Sequence, residues 1–187
     1  APPWALTPAP VERPTPWLTH PSMAAGTDEP AMASPLRARG AAQRGILVPA
    51  MLARLPDVAP QRRLELARKF LSARGIEGEE IERLAAQTIA VIEDPTFAAA
   101  FAPGSRAEVS IVADLPELGA GARVHGRVDR LAVSDDEVLI VDFKTGKPAQ
   151  EADMPQPYAT QMALYRAAAA RIVPAKRIAC ARVWTEG

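Results

Sequence analysis

Two strand-like segments joined by an acidic turn limit the possible folds of this chain more than any other feature of its sequence. Segments 123–133 and 137–144 alternate with the period of two that strands show, and the polar tip Ser134-Asp135-Asp136-Glu137 joins them. This pattern predicts an antiparallel hairpin. If the two central residues of the tip form the turn, counting back along both strands places Asp129 opposite Asp142. The hairpin therefore predicts two carboxylates on one face of a sheet.

The chemistry of this face depends on a lysine as well. Lys144 follows Asp142 by two residues and so points the same way. Facing carboxylates repel and raise each other's pKa, and a divalent cation would remove that repulsion. Oxygen ligands suit Mg²⁺ or Mn²⁺ better than zinc, for which the chain lacks clusters of Cys and His. Lys144 could orient or activate an attacking water, or stabilise charge on a phosphoryl oxygen. The arrangement is typical of phosphodiesterases, whereas the alternative is a hairpin with solvated acids and a lysine that merely pairs with them.

Three blocks in this order resemble a known family. They are Gly-x-x-Asp-Arg-Leu at 126–131, Asp-Phe-Lys-Thr-Gly at 142–146 and Gln-x-x-x-Tyr at 161–165. They resemble the PD-(D/E)XK nuclease superfamily, and within it the RecB-type nuclease domain that ends the AddA subunit of bacterial helicase-nucleases. The resemblance implies a restriction-endonuclease-like α/β fold, with a mixed sheet flanked by helices and a helical N-terminal lead-in. It also implies a Mg- or Mn-dependent exodeoxyribonuclease that processes double-strand breaks in recombinational repair.

The resemblance also assigns roles to individual residues. The catalytic group would be Asp129, Asp142 and Lys144. The groups that would hold Mg²⁺ or Mn²⁺ are the carboxylates of Glu108, Asp129 and Asp142 and the backbone carbonyl of Phe143. The side chains expected to bind DNA or to support the site are Arg127, Gln161 and Tyr165. A surface role for Glu108 and a plain core role for Tyr165 stay open as alternatives.

One position departs from the family pattern. RecB-type domains typically carry Arg-Gly-x-x-x-His-x-x-Leu on a helix, with the histidine as a metal ligand. Residues 44–52 fit this frame, but Pro49 stands at the histidine position and offers no ligand atom. Proline costs about 3 kcal/mol inside a helix but is tolerated in the first turn. Since Gly45 also disfavours a helix interior, we expect the helix to begin near Val48. The departure leaves open a catalytically degenerate module that binds DNA or docks a subunit, and, more remotely, a standalone restriction-type endonuclease.

The chain divides into a linker and one domain. Nine of the 19 prolines fall within residues 1–35, which predicts a Pro-rich linker, and residues 36–187 would form the nuclease domain. We expect the chain to be a C-terminal piece of a larger helicase-nuclease. Its partners would then be DNA, as a single strand leaving the motor, the helicase domains of the same full-length chain, and a second helicase-nuclease subunit.

Composition narrows the class further. The net charge is zero, yet nine basic residues lie between Arg37 and Arg74, and the next helix is acidic. The basic layer could follow phosphates or could be an ordinary solvated face. A single cysteine, Cys180, excludes a disulfide framework and the four-cysteine iron–sulfur cluster of some relatives. No stretch approaches the roughly 20 apolar residues of a membrane span, so we expect a cytoplasmic protein without a membrane partner. Gly146-Lys147 lacks the Ser or Thr of a phosphate-binding loop, so no ATP site is expected in this fragment.

Overall fold

A computed structural model describes residues 17–21, 35–144 and 156–185 of the chain. The helices are α1 (Pro35–Leu52), α2 (Pro60–Ser72), α3 (Glu79–Glu93) and α4 (Gln156–Ile172). The strands are β1 (Trp17–Thr19), β2 (Arg106–Asp114), β3 (Ala122–Val133), β4 (Glu137–Lys144) and β5 (Arg177–Trp184). Short 3-10 turns lie at Leu55–Asp57, Pro95–Phe101 and Pro116–Leu118. Three helices therefore precede most of the sheet, and the fourth connects β4 to β5.

The sheet is mixed, and β3 is its central strand. β2 runs antiparallel along one edge of β3, while β1 and β4 share the other edge. β1 lies parallel to residues 122–124, and β4 lies antiparallel to residues 130–133. β5 then continues the sheet in parallel with β4. Among the described residues, no strand pairs with residues 125–129 of β3 on this edge, and Asp129 lies at the β4 end of this gap.

The predicted hairpin is confirmed. Val133 pairs with Val138, and the Ser134 N–H donates to the Glu137 carbonyl over 2.9 Å. Asp135 and Asp136, which lie between Ser134 and Glu137, form the turn, as the pattern predicts. The ladder runs back to the pair Arg130 and Val141.

Each face of the sheet buries a separate apolar cluster. On one face, α1, α2 and α3 pack over the side chains of Val141 and Phe143. On the other, α4 packs over Val138 and Ile140. Because successive residues of β4 point to opposite faces, Phe143 lies under the three helices whereas Asp142 and Lys144 lie on the α4 side. The two halves of the hydrophobic core thus fix the direction of the acid and the lysine.

The expected start of the first helix is wrong. Helix α1 begins at Pro35 rather than near Val48, so Pro49 lies inside it, in its last turns. Leu47, Val48, Met51 and Leu52 surround the proline in sequence and are each less than 5% exposed. Burying such side chains stabilises by about 1.5–3 kcal/mol each, which together exceeds the cost of one proline. Tertiary packing therefore overrides local propensity here.

Part of the basic layer of the sequence is paired within the helical face. Arg68 makes a bidentate ion pair with Glu82 of α3, with N–O distances of 2.9 and 2.6 Å. Lys69 pairs with Glu65 one turn away, and Arg63 lies 3.5 Å from Glu93. The acidic helix thus neutralises part of the cationic layer, which leaves fewer of its charges for phosphates.

The expected linker includes a strand. Residues 17–19 form β1, and the buried Pro21 follows it. The linker expectation did not anticipate this element. Residues 1–16 and 22–34 lie outside the described part of the chain, as does the Gly146-Lys147 pair.

Candidate active site

Asp129 and Asp142 meet across the hairpin. They lie one step beyond the last ladder pair, Arg130 and Val141, and so oppose each other on adjacent strands. The Asp129 carboxylate accepts a hydrogen bond from the backbone N–H of Phe143 over 2.7 Å. This bond holds Asp129 against the end of β4, next to Asp142.

The electrostatic environment of Asp129 is unfavourable to its charge. Burial, and next the charge of Asp142, raise the pKa of Asp129 from 3.8 to about 6. The Phe143 N–H and the Lys144 ammonium offset part of this rise, and the Glu108 charge adds a little to it. The raised pKa shows that Asp129, buried beside a second carboxylate, does not ionise freely.

Lys144 reaches the same place from the end of β4. Its amino nitrogen lies 3.0 Å from Oδ1 of Asp142, and its side chain is 30% exposed against 7% for Asp142. The lysine thus covers the solvent side of a buried carboxylate. It is the member of the group best placed to meet water or a substrate.

Arg182 is a member of the site that sequence reasoning missed. It lies on β5 in parallel register with Asp142, and its Nε is 3.3 Å from Oδ2 of that carboxylate. The guanidinium carbon lies 4.0 Å from the centre of the Tyr158 ring. A charged residue within the otherwise apolar residues 178–184 of β5 is a signal in the sequence. The register with β4, which gives that signal its meaning, is not readable there.

Glu108 lies beside Asp129 on the opposite neighbour, β2. Ala107 pairs with Arg130 and Val109 pairs with Val128, so Glu108 lies opposite Asp129 in the antiparallel register. Its side chain is 43% exposed and pairs with Arg127 at 2.9 Å. Glu108 also has a positive φ of 56°, the left-handed conformation that side chains other than glycine adopt at a cost of about 1–2 kcal/mol. The structure thus brings Glu108 to the edge of the site but pairs it with Arg127.

Gln161 and Tyr165 lie on the buried face of α4, beneath the site. The Tyr165 hydroxyl donates to the backbone carbonyl of Arg127 over 2.8 Å, and Gln161 hydrogen-bonds to Tyr165. Burial raises the pKa of Tyr165, and the charges of Asp142 and Asp129 act in the same direction. Tyr165 therefore fixes the backbone two residues before Asp129.

Gly126, the first residue of the Gly-x-x-Asp block, is required by close packing. A Cβ atom there would lie 2.5 Å from Cε1 of Tyr165 and 3.1 Å from Cδ of Pro21. Only glycine leaves room for the tyrosine ring and for the proline that follows β1. The block thus links the N-terminal strand, the tyrosine and the acid.

Arg130, next to Asp129 in the same block, is a buried structural residue. Its guanidinium donates to the carbonyls of Ala100 and Leu52, over 2.9 and 3.3 Å, and to Oγ of Ser105 over 2.8 Å. Val128 packs on the side of the sheet that α4 covers, whereas Arg130 reaches α1 on the other side. Strict alternation is therefore interrupted at Asp129, where Glu108 on the neighbouring strand has its unusual φ.

The donors that are present fit a divalent cation in part. Two adjacent carboxylates, one with a raised pKa, call for a positive charge between them, and oxygen donors suit Mg²⁺ or Mn²⁺. Among the described residues, however, no three His, Cys, Asp or Glu side chains cluster closely enough to form a metal centre by themselves. Pro49 adds no donor. A cation here would therefore depend on Asp129, Asp142, a backbone carbonyl and water.

Comparison with known proteins identifies the family. The model of the PD-(D/E)XK nuclease superfamily matches residues 25–184, and the chain belongs to this superfamily. The mixed sheet flanked by helices is the restriction-endonuclease-like α/β fold. No curated protein matches the chain.

A solved structure titled "Crystal structure of SSO0001" is similar at 12% identity, over 74% of this chain and 70% of that chain. Its TM-score of 0.32 is too low to support an argument.

Within the three described ranges, no helix has the length and apolar character of a membrane span.

Proposed function

We propose that this domain is a metal-dependent deoxyribonuclease of the RecB type that hydrolyses phosphodiester bonds at DNA double-strand breaks. The observation that supports the proposal most is the meeting of Asp129 of β3 with Asp142 and Lys144 at the end of β4. A metal-dependent nuclease needs acids that hold the cation, and a proton-bearing group that can assist it, beside one phosphate. Asp129, Asp142 and Lys144 would provide that combination.

The acids and the lysine would have different roles in the reaction. Asp129 and Asp142 would hold Mg²⁺ or Mn²⁺ together with the carbonyl of Phe143, and Glu108 would contribute directly or through water. A bound divalent cation would polarise the phosphoryl group and favour attack by water. Lys144 would orient that water and donate to a phosphoryl oxygen as charge develops. The Phe143 N–H and the Tyr165 hydroxyl keep Asp129 and its strand in place.

The three sequence blocks also support a place within a helicase-nuclease of the AddA kind. The substrate would then be a single strand delivered by helicase domains of the same full-length chain, with a second subunit as partner. Arg127, whose side chain is 67% exposed beside the site, would contact the DNA backbone.

A cleavage assay tests the proposal. An end-labelled DNA single strand is incubated with the domain in Mg²⁺, Mn²⁺ or EDTA. We expect cleavage with either metal, none in EDTA, and a loss of at least about 100-fold in Asp142→Asn and Lys144→Met, the scale of a missing general acid–base group. Asp135→Asn, in the exposed turn of the same hairpin, is the matched control and should cleave at the parental rate. Parental rates in both site variants would contradict the assignment.

A second candidate is a catalytically degenerate module that binds DNA or docks a subunit. Two observations favour it: Pro49 supplies no ligand, and Asp142 already has two cationic partners, Lys144 and Arg182. Such a module would bind a labelled strand equally well in EDTA, with an affinity that falls as salt rises. The same set of reactions, run on a native gel, distinguishes it from the nuclease.

A further inference from the structure

Arg182 occupies the candidate site as a buried cation. Its side chain is 5% exposed, and that of its partner Asp142 is 7% exposed. The parallel pairing of β4 with β5 sets the two residues side by side, so the contact is fixed by the sheet and not by a mobile loop. Lys144 contacts Oδ1 of the same carboxylate, and Arg182 contacts Oδ2. Both oxygens of Asp142 therefore already have a cationic donor.

The hydrogen bonding of Arg182 is incomplete. Its Nη1 and Nη2 atoms are buried and have no hydrogen-bond partner among the described residues. Only Nε donates, at the long distance of 3.3 Å, while the Tyr158 ring lies against the guanidinium plane. A buried charge with unsatisfied donors is a poor device for stability, since well-packed apolar residues often stabilise as well or better. The residue is therefore better explained by its effect on Asp142.

We infer that Arg182 is a resident cation that competes with a divalent metal ion for Asp142 and thereby lowers the metal affinity of the site. The inference rests on the proposed function, because it takes Asp142 to be a metal ligand. In the metal-free protein Arg182 and Lys144 neutralise Asp142. A divalent ion gains the use of Oδ2 only when the guanidinium withdraws. Arg182 is accordingly a positioning residue.

The competition predicts that removing the guanidinium strengthens metal binding. Residues that contact metal ligands typically change metal affinity by about 10–100-fold when they are replaced. Such partners usually support binding, so their loss weakens it. Arg182 carries the same sign of charge as the metal, so its loss should act in the opposite direction. We expect a gain of at least about 10-fold in Mn²⁺ affinity for Arg182→Leu.

Calorimetry with Mn²⁺ measures this without any substrate. The variants are Arg182→Leu, Arg182→Gln and a matched control, Arg177→Leu, which removes an ion-paired arginine from the far end of the same strand. Both Arg182 variants should bind Mn²⁺ more tightly than the parent, and the control should match the parent. Far-UV circular dichroism in EDTA checks folding. If Arg182→Leu does not fold, Arg182→Gln, which stays polar and of similar length, decides the question.

The outcomes separate this inference from the proposed function. If the parent binds Mn²⁺ and both folded Arg182 variants bind it equally or more weakly, competition is refuted while the metal site stands. If no folded protein of the set binds Mn²⁺, the metal site itself is refuted and competition with it. If the Arg182 variants bind Mn²⁺ more tightly than the parent, and this gain disappears when Asp142→Asn is added to them, both the competition and the metal site are supported.

Discussion

Replacing Asp129 by Asn should stabilise the metal-free protein at neutral pH. The folded-state pKa of Asp129 is about 6, above its ordinary value of 3.8, because of burial and the charge of Asp142. The folded protein therefore keeps a proton that the unfolded chain releases between about pH 4 and pH 6. Since the folded state binds more protons in this window, the free energy of unfolding falls as the pH rises through it.

The size of the effect follows from the shift. A rise of about two pKa units at 1.36 kcal/mol per unit corresponds to roughly 3 kcal/mol, present below pH 4 and lost above pH 6. Asn carries no charge and can still accept the Phe143 N–H through its side-chain oxygen. Asp129→Asn should therefore match the parent near pH 4 and exceed it by about 1–3 kcal/mol at pH 7.5.

Urea unfolding in EDTA at several pH values between 4 and 7.5 measures this difference. Asp135→Asn in the exposed hairpin turn is the control and should follow the parent throughout. With saturating Mn²⁺ the order should reverse, because only the parent retains both of the proposed carboxylate ligands. An Asp129→Asn variant whose advantage over the parent does not grow with pH would refute the electrostatic argument.

Substitutions at three further positions test other parts of the structure. Pro49→Ala should raise the free energy of unfolding, measured in urea, by about 1–3 kcal/mol, because it restores a helical N–H. Pro49→His should in addition raise the affinity for Mn²⁺ by at least about 10-fold. Equal Mn²⁺ affinity in the two variants would contradict a ligand role for position 49. Arg130→Met should destabilise by about 2–4 kcal/mol, since the carbonyls of Ala100 and Leu52 lose their donor, and a loss below about 0.5 kcal/mol would contradict its structural role. Gly126→Ala should lower the free energy of unfolding by about 1–3 kcal/mol, through contact with the Tyr165 ring, and a variant as stable as the parent would show that the ring moves freely.

The hairpin was predictable because it depends on local pattern, and the fold class was predictable from the resemblance to a known family. A two-residue turn fixes the register of a hairpin, and the register places Asp129 opposite Asp142 with no knowledge of the remaining structure. Alternation along β4 then assigns Lys144 to the same face. The superfamily and its α/β fold, which the sequence blocks implied, are confirmed.

Features that depend on distant packing were not predictable. Arg182 meets Asp142 through a parallel pairing that follows a crossover helix, and no turn sets the register of strands joined in that way. Pro49 lies inside α1 because buried neighbours outweigh its local preference. Glu108, which pairs with Arg127, has a backbone conformation that its residue type disfavours, so its placement could not be read from the sequence.

Metal-dependent catalysis by Asp142 is tested by the rate at which an end-labelled DNA single strand is cleaved while Mn²⁺ is titrated from EDTA to saturation. We expect no cleavage in EDTA, a saturable rise with Mn²⁺ in the parent, and no rise in Asp142→Asn at any concentration. Cleavage that is equal in EDTA and Mn²⁺, or that survives in Asp142→Asn, would contradict metal-dependent catalysis by Asp142.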